Sequence, residues 1–185
     1  MAAQPKAHMS VDEFLIWAEE QPGRHELYQG VVYAMAPERA GHAKTKHAVA
    51  RALEAAIAKN GCTCWMLPDG MTVRIDAETA HEPDALVYCG AELPSDAIEV
   101  PNPVVVVEVK SPSTKRLDAT LKLASYFKLP SVQHYLIVDP EGPPVIHHQR
   151  GASDVILTRI IGSSEPLLLD PPGLTIGVAS FFNAA

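Results

Sequence analysis

The chain has 185 residues, 47% hydrophobic and 20% charged, with a formal net charge of −7. Those values describe one soluble domain, residues 1–185, with a full apolar core, and exclude a disordered or fibrous chain. The acidic balance also excludes a broad basic surface for nucleic acid, so any such binding must be local to a patch or assisted by metal.

No apolar run approaches a membrane span. Residues 1–9 lack the apolar core of a leader and are expected to be flexible, so the expected location is the cytoplasm. Cys62, Cys64 and Cys89 are too few for a disulfide framework and read as reduced, partly buried thiols.

Ser10-Val11-Asp12-Glu13 is a capping box that predicts a helix through about residue 20, stopped by Pro22-Gly23. Residues 24–35 predict a hairpin with its turn at Gln29-Gly30. Residues 41–60 carry apolar positions at helical spacing, ended by Asn60-Gly61. Residues 62–67 and 71–76 predict short strands around Pro68-Asp69-Gly70, and residues 85–89 another strand. His81-Glu82 reads as loop, and the three prolines of residues 93–103 make a second loop.

Residues 104–110 predict a buried central strand, broken by Ser111-Pro112-Ser113-Thr114. Residues 118–129 predict an amphipathic helix, residues 133–138 a strand, residues 145–148 and 155–161 a hairpin, and residues 179–183 a last helical turn. The order of helices and strands predicts an α/β (mixed α+β) domain, a central mixed sheet flanked by helices.

The chemistry concentrates at two points. Pro83-Asp84 leads into one strand, and Glu108-Val109-Lys110 ends the valine run 104–107. Alternation along a strand puts Glu108 and Lys110 on one face and Val109 on the other. A carboxylate and an ammonium at the end of an apolar strand must be paired or bind a metal. With Asp84 they make a hard-oxygen set suited to Mg²⁺ or Mn²⁺, to which the Val109 carbonyl adds a third ligand, with Lys110 facing phosphate or the attacking water. A buried ion-pair network without metal accounts for the same residue types. Lys122 and Tyr126, four apart, share a helical face. His147 and His148 point to opposite faces of a strand, which argues against a paired metal site.

Pro83-Asp84 with Glu108-Val109-Lys110 resembles the PD-(D/E)xK nuclease signature. The run from His25 to Met35, His42 at the start of the second helix, residues 108–114, and Asp118, Lys122 and Tyr126 are similar to the Uma-type restriction endonucleases within that superfamily. The resemblance implies a restriction-endonuclease-like fold with an N-terminal and a C-terminal hairpin. It implies a metal-dependent site in which Asp84, Glu108 and the Val109 carbonyl hold Mg²⁺, Glu26 is a further acidic group near the metal, and Lys110 is the catalytic lysine. Many relatives have an apolar residue at that lysine and use one on the following helix, here Lys122. This chain has both, so which lysine acts stays open. His42 is a candidate for placing phosphate or water, beside its plainer reading as a helix-start residue.

The resulting expectation is an Mg²⁺-dependent endonuclease acting on DNA as a homodimer. A catalytically inert nuclease-fold interaction module and a hydrolase of a small phosphorylated substrate are the alternatives.

Overall fold

The computed structural model describes residues 8–110 and 119–182. Residues 1–7, the predicted 111–114 turn, Asp118 and Asn183 lie outside the described residues.

Helix α1, Val11–Glu19, starts with the predicted box: the Glu13 amide donates to Ser10 Oγ at 3.3 Å and the Ser10 amide to Glu13 Oε2 at 3.1 Å. Met9, expected to be flexible, is buried and donates its amide to the Gly30 carbonyl at 2.9 Å. Strands β1, His25–Tyr28, and β2, Val31–Ala34, form the expected hairpin. Its two turn residues have positive φ, 49° at Gln29 and 74° at Gly30, the handedness that matches strand twist in a two-residue hairpin. Helix α2, Ala40–Asn60, ends where Gly61 takes the left-handed conformation.

Next come β3, Cys64–Pro68; β4, Val73–Asp76; β5, Thr79–His81; β6, Ala85–Cys89; and β7, Pro103–Val109. Helix α3, Ala119–Tyr126, leads to β8, His134–Val138, then to the hairpin β9, Val145–Arg150, and β10, Ile156–Ile161. A last hairpin, β11, Pro166–Leu169, and β12, Leu174–Gly177, precedes a 3-10 turn at Val178–Phe181.

The main sheet has six strands in the order β10-β9-β8-β7-β6-β3. Only the β7–β8 pair in it is parallel, because its connection crosses over through α3. A smaller sheet runs β2-β1-β5-β4. Strand alternation divides the core. Val105, Val107 and Val109 pack with Val49 and Leu53 of α2 and with the β11–β12 hairpin. Val106 packs on the opposite face with Tyr126 of α3 and with Val73 and Ile75 of β4. Glu108 therefore emerges on the α3 side and Val109 on the α2 side.

Three local expectations differ from the structure. His81, read with Glu82 as loop, instead ends the buried strand Thr79–His81, since β1 pairs with a segment too short to show periodicity. The β11–β12 hairpin was not anticipated, because consecutive leucines hide the alternation of buried Leu167 and Leu169 with exposed Leu168. Cys64 and Cys89 stand opposite each other on β3 and β6, Cα atoms 3.9 Å apart, and form a disulfide; Cys62 alone is free. Their separation in sequence carries no trace of that register.

Arg150 ties the sheet to the end of α3. Its Nε donates to the Val132 carbonyl at 2.9 Å, and its Nη2 to the carbonyls of Phe127 at 2.9 Å and Leu129 at 2.8 Å. Its guanidinium lies 5.2 Å from the Phe127 ring centroid. Replacing Arg150 with Ala is expected to lower unfolding free energy by about 2–4 kcal/mol in urea titration, because three carbonyls lose a charged donor.

Buried His147, hydrogen-bonded to His134 at 2.9 Å, is pushed by burial and then by the neighbouring His134 from 6.5 to about 4. A ring that protonates more readily when unfolded stabilises the fold fully above pH 6.5, and that contribution drains away as pH falls toward about 4. Urea titrations across that window should show declining stability, and His147→Gln should make the decline shallower.

Candidate active site

The site forms where the end of β7 meets β1, the β5–β6 link, α2 and α3. The small sheet delivers two of its acids: Glu26 lies on β1, and Asp84 follows β5 directly before β6. The Asp84 amide donates to the Val107 carbonyl at 3.0 Å, and Asp84 Oδ2 accepts from the Val109 amide at 2.7 Å. These two bonds lock Asp84 beside the end of β7, next to Glu108.

Lys122 sits between two carboxylates. Its Nζ is 2.8 Å from Glu108 Oε1 and 2.9 Å from Glu26 Oε1. Tyr126, one turn along α3, donates its hydroxyl to the same Glu108 oxygen at 2.9 Å. The Glu82 amide donates to Glu26 Oε1 at 2.9 Å. Glu26, Glu108 and Lys122 are 5%, 6% and 4% exposed, and Tyr126 is fully buried.

One ammonium shared by two buried carboxylates leaves negative charge over. Burial, with the nearby charges of Asp84 and Glu26 adding to it, pushes Glu108 up to about 7 despite Lys122. Burial also opposes ionisation of Glu26, but Lys122 and His81 outweigh it and hold Glu26 below its usual value. Burial disfavours the Lys122 ammonium, and Glu108 and Glu26 more than compensate, raising its pKa.

On the other side of Asp84 the helix α2 presents His42 and Lys46, four residues and one turn apart. His42 Nε2 donates to the Val109 carbonyl at 2.9 Å and lies 3.5 Å from Asp84 Oδ2, while Nδ1 donates to Glu38 Oε1 at 2.7 Å. Burial disfavours the imidazolium, but Asp84, Glu38 and the Val109 carbonyl raise it to about 9, so the ring donates from both nitrogens. Lys46 Nζ is 2.5 Å from Glu38 and from Asp69, and 3.9 Å from Asp84 Oδ1. Arg24 joins the same chain of alternating charges through Asp69 and, at 2.7 Å, Glu82.

The structure thus brings together Asp84, Glu108, Val109, Glu26 and Lys122. It does not bring Lys110 to them. Strand β7 ends at Val109, so Lys110 belongs to the outgoing segment; it is 50% exposed and reaches Asp139 Oδ2 at 3.2 Å. Lys46, Glu38, Asp69 and Arg24 were not singled out from sequence. The spacing Glu38-His42-Lys46 was a usable signal: two steps of four, with His42 and Lys46 on one face of α2 and Glu38 just before its N-cap. Asp69 offered none, because Asp between Pro and Gly looks like an ordinary turn residue.

The donor types suit a hard divalent cation: Asp84 is bonded to the Val109 amide, its carboxylate and that of Glu108 lie at the end of β7, and Glu108 is short of positive charge. Asp84, Glu108 and Val109 would hold it, with His42 releasing the Val109 carbonyl. Among the described residues no group of three or more His, Cys, Asp or Glu side chains is arranged to hold a metal ion.

An uncharacterised Synechocystis protein, slr1290, is 27% identical over 178 residues, 94% of this chain and 91% of the relative. A second, sll1609, is 26% identical over 161 residues, 84% of this chain and 89% of the relative. A solved structure described as a putative nuclease belonging to DUF820, from Anabaena variabilis, superposes with a TM-score of 0.73 at 14% identity, covering 94% of this chain and 97% of that one. That likeness establishes a common fold, a mixed α+β fold of the restriction-endonuclease type. The model of the Uma2 family, described as "Putative restriction endonuclease", matches residues 11–179, and the chain belongs to that family.

Proposed function

We propose that this chain is a divalent-metal-dependent endonuclease that hydrolyses DNA phosphodiester bonds. The observation that carries the reading is the pairing of Asp84 and Glu108 at the end of β7 with the buried ammonium of Lys122 on Glu108. Asp84, Glu108 and the Val109 carbonyl would hold Mg²⁺, with Mn²⁺ as substitute. When bound, the metal supplies charge neutralisation at the phosphoryl group and a water of lowered pKa.

The chain's own residues do the rest. Lys122 orients the attacking water against Glu108 and offers positive charge to the phosphoryl oxygens. Glu26 holds Lys122 from the other side, and Tyr126 fixes the Glu108 carboxylate. The imidazolium of His42 and the ammonium of Lys46 add positive charge next to Asp84. We assign the catalytic lysine to Lys122 because Lys110 points to Asp139.

A second reading has its own supporting observation. Lys122 already bridges Glu26 and Glu108 without a metal, as an inert nuclease-fold interaction module would require, and the net charge is −7. We further propose a homodimer. Strand β10 is an edge of the main sheet and exposes Ile156, Leu157 and Ile160, an apolar surface a second copy could cover. The cytoplasm is the proposed location; the Cys64–Cys89 disulfide is the observation against it.

The test is cleavage of supercoiled, linear and single-stranded DNA with Mg²⁺ or Mn²⁺. Wild type and Lys110→Ala should cut, while Asp84→Asn should fall to background. Cutting that survives Asp84→Asn would remove this site from the reaction. Wild type that binds Mn²⁺ but cuts nothing would favour the inert module.

Stability separates the roles of the two lysines independently of turnover. Lys122→Met strands Glu26 and Glu108 without a cation and should cost about 3–5 kcal/mol in urea titration. Adding Glu108→Gln should recover part of that loss. Lys110→Ala, at a half-exposed pair, should change stability by less than about 1 kcal/mol.

A further inference from the structure

Most cations among the described residues are already spoken for. Arg24, Lys46, Arg74, Lys110, Lys122 and Lys128 each pair with a carboxylate. Arg150 is occupied by backbone carbonyls. Among the described residues, five cations are left without such a partner: Arg39, Lys44, Arg51, Lys59 and Arg159. Four of these five lie on α2 or at its N-cap, and all four are solvent-exposed.

Their spacing makes a track. Lys44, His47 and Arg51 are three and four residues apart and share one outer stripe of the helix, with Lys59 two turns further on. Arg39 sits at the N-cap, the end from which His42 and Lys46 face Asp84. Glu54 is the one carboxylate on α2. From Arg39 to Lys59 the helix rises about 30 Å. That is the axial length of about nine base pairs at 3.4 Å each. The inner face of α2 thus borders the site, and the helix with its N-cap carries four of the five free cations among the described residues of a chain whose net charge is −7.

We infer that the outer face of α2, through Arg39, Lys44 and Arg51, is the surface that follows the sugar-phosphate backbone of a nucleic acid whose scissile phosphate lies at Asp84 and Glu108. This rests on the nuclease reading for its substrate class. It adds where the polymer runs and how an acidic protein holds a polyanion: among the described residues, four of the five free cations lie on α2 or at its N-cap, while six others pair with carboxylates of the protein itself. Lys59, at the far end of the helix, contributes least.

The test is binding of a fluorescent 20-base-pair duplex without divalent metal, so that no cleavage intervenes, across a salt series. Three variants are compared: Lys44→Glu with Arg51→Glu, Arg159→Glu with Lys128→Glu as a charge-matched control off the track, and wild type. Circular dichroism checks that each is folded.

The α2 double variant should lose about an order of magnitude in affinity per lost contact at 0.1 M salt, with the slope of log affinity against log salt reduced by about 0.9 per contact. The control pair should leave the slope unchanged. Equal losses in both double variants would mean bulk charge, not a track, and would overturn the inference. So would unchanged binding in the α2 variant, or a wild type that does not bind duplex at all. Wild type that binds along α2 but cleaves nothing would sink the hydrolytic reading and leave the track standing.

Discussion

The shared ammonium of Lys122 is the interaction on which the site depends. Two carboxylates from different sheets, Glu26 and Glu108, would repel each other in a water-poor interior if nothing stood between them. Lys122 makes their approach possible, and α3 must be docked on the main sheet for Lys122 to reach them. That docking has its own fastening, since Arg150 holds the carbonyls at the end of α3 from β9. Site geometry and fold stability are therefore coupled through one short helix.

Asp84 is held by different means. Two main-chain hydrogen bonds to β7 set its position, and the cations near it come from α2. Around it the charges alternate from Arg24 through Asp69, Lys46 and Glu38 to His42. Such a chain keeps the positive groups in place before any substrate arrives, which is the preorganisation that electrostatic catalysis needs. Glu108 is left with excess negative charge around it, an imbalance that a bound cation would relieve.

The acidic net charge looks at first like an argument against a polyanionic substrate. The distribution of that charge changes the question. Among the described residues, carboxylates pair with six of the cations, and four of the five free ones lie on α2 or at its N-cap. Net charge governs long-range behaviour, while contact with a phosphate backbone is decided by where the free cations are.

Local patterns in the sequence were sufficient for the elements that frame the site. The alternation of residues 104–109 put Glu108 and Val109 on opposite faces, and the structure separates them onto the α3 and α2 sides. Spacing of four put Lys122 with Tyr126, and both meet Glu108. Gln29-Gly30 defined a hairpin, and Ser10 with Glu13 a helix start. These readings work because turn chemistry, alternation and helical repeat are properties of neighbouring residues.

Only the tertiary structure decided which lysine stands at Glu108, because Lys110 and Lys122 are equally basic in sequence and differ only in where β7 ends and how α3 docks. Only it joined Cys64 to Cys89, made residues 79–81 a strand, and brought His42 to the Val109 carbonyl. Each of these depends on the pairing of segments far apart in the chain, and a contact of that kind is fixed by sheet register and packing, not by the residues beside it.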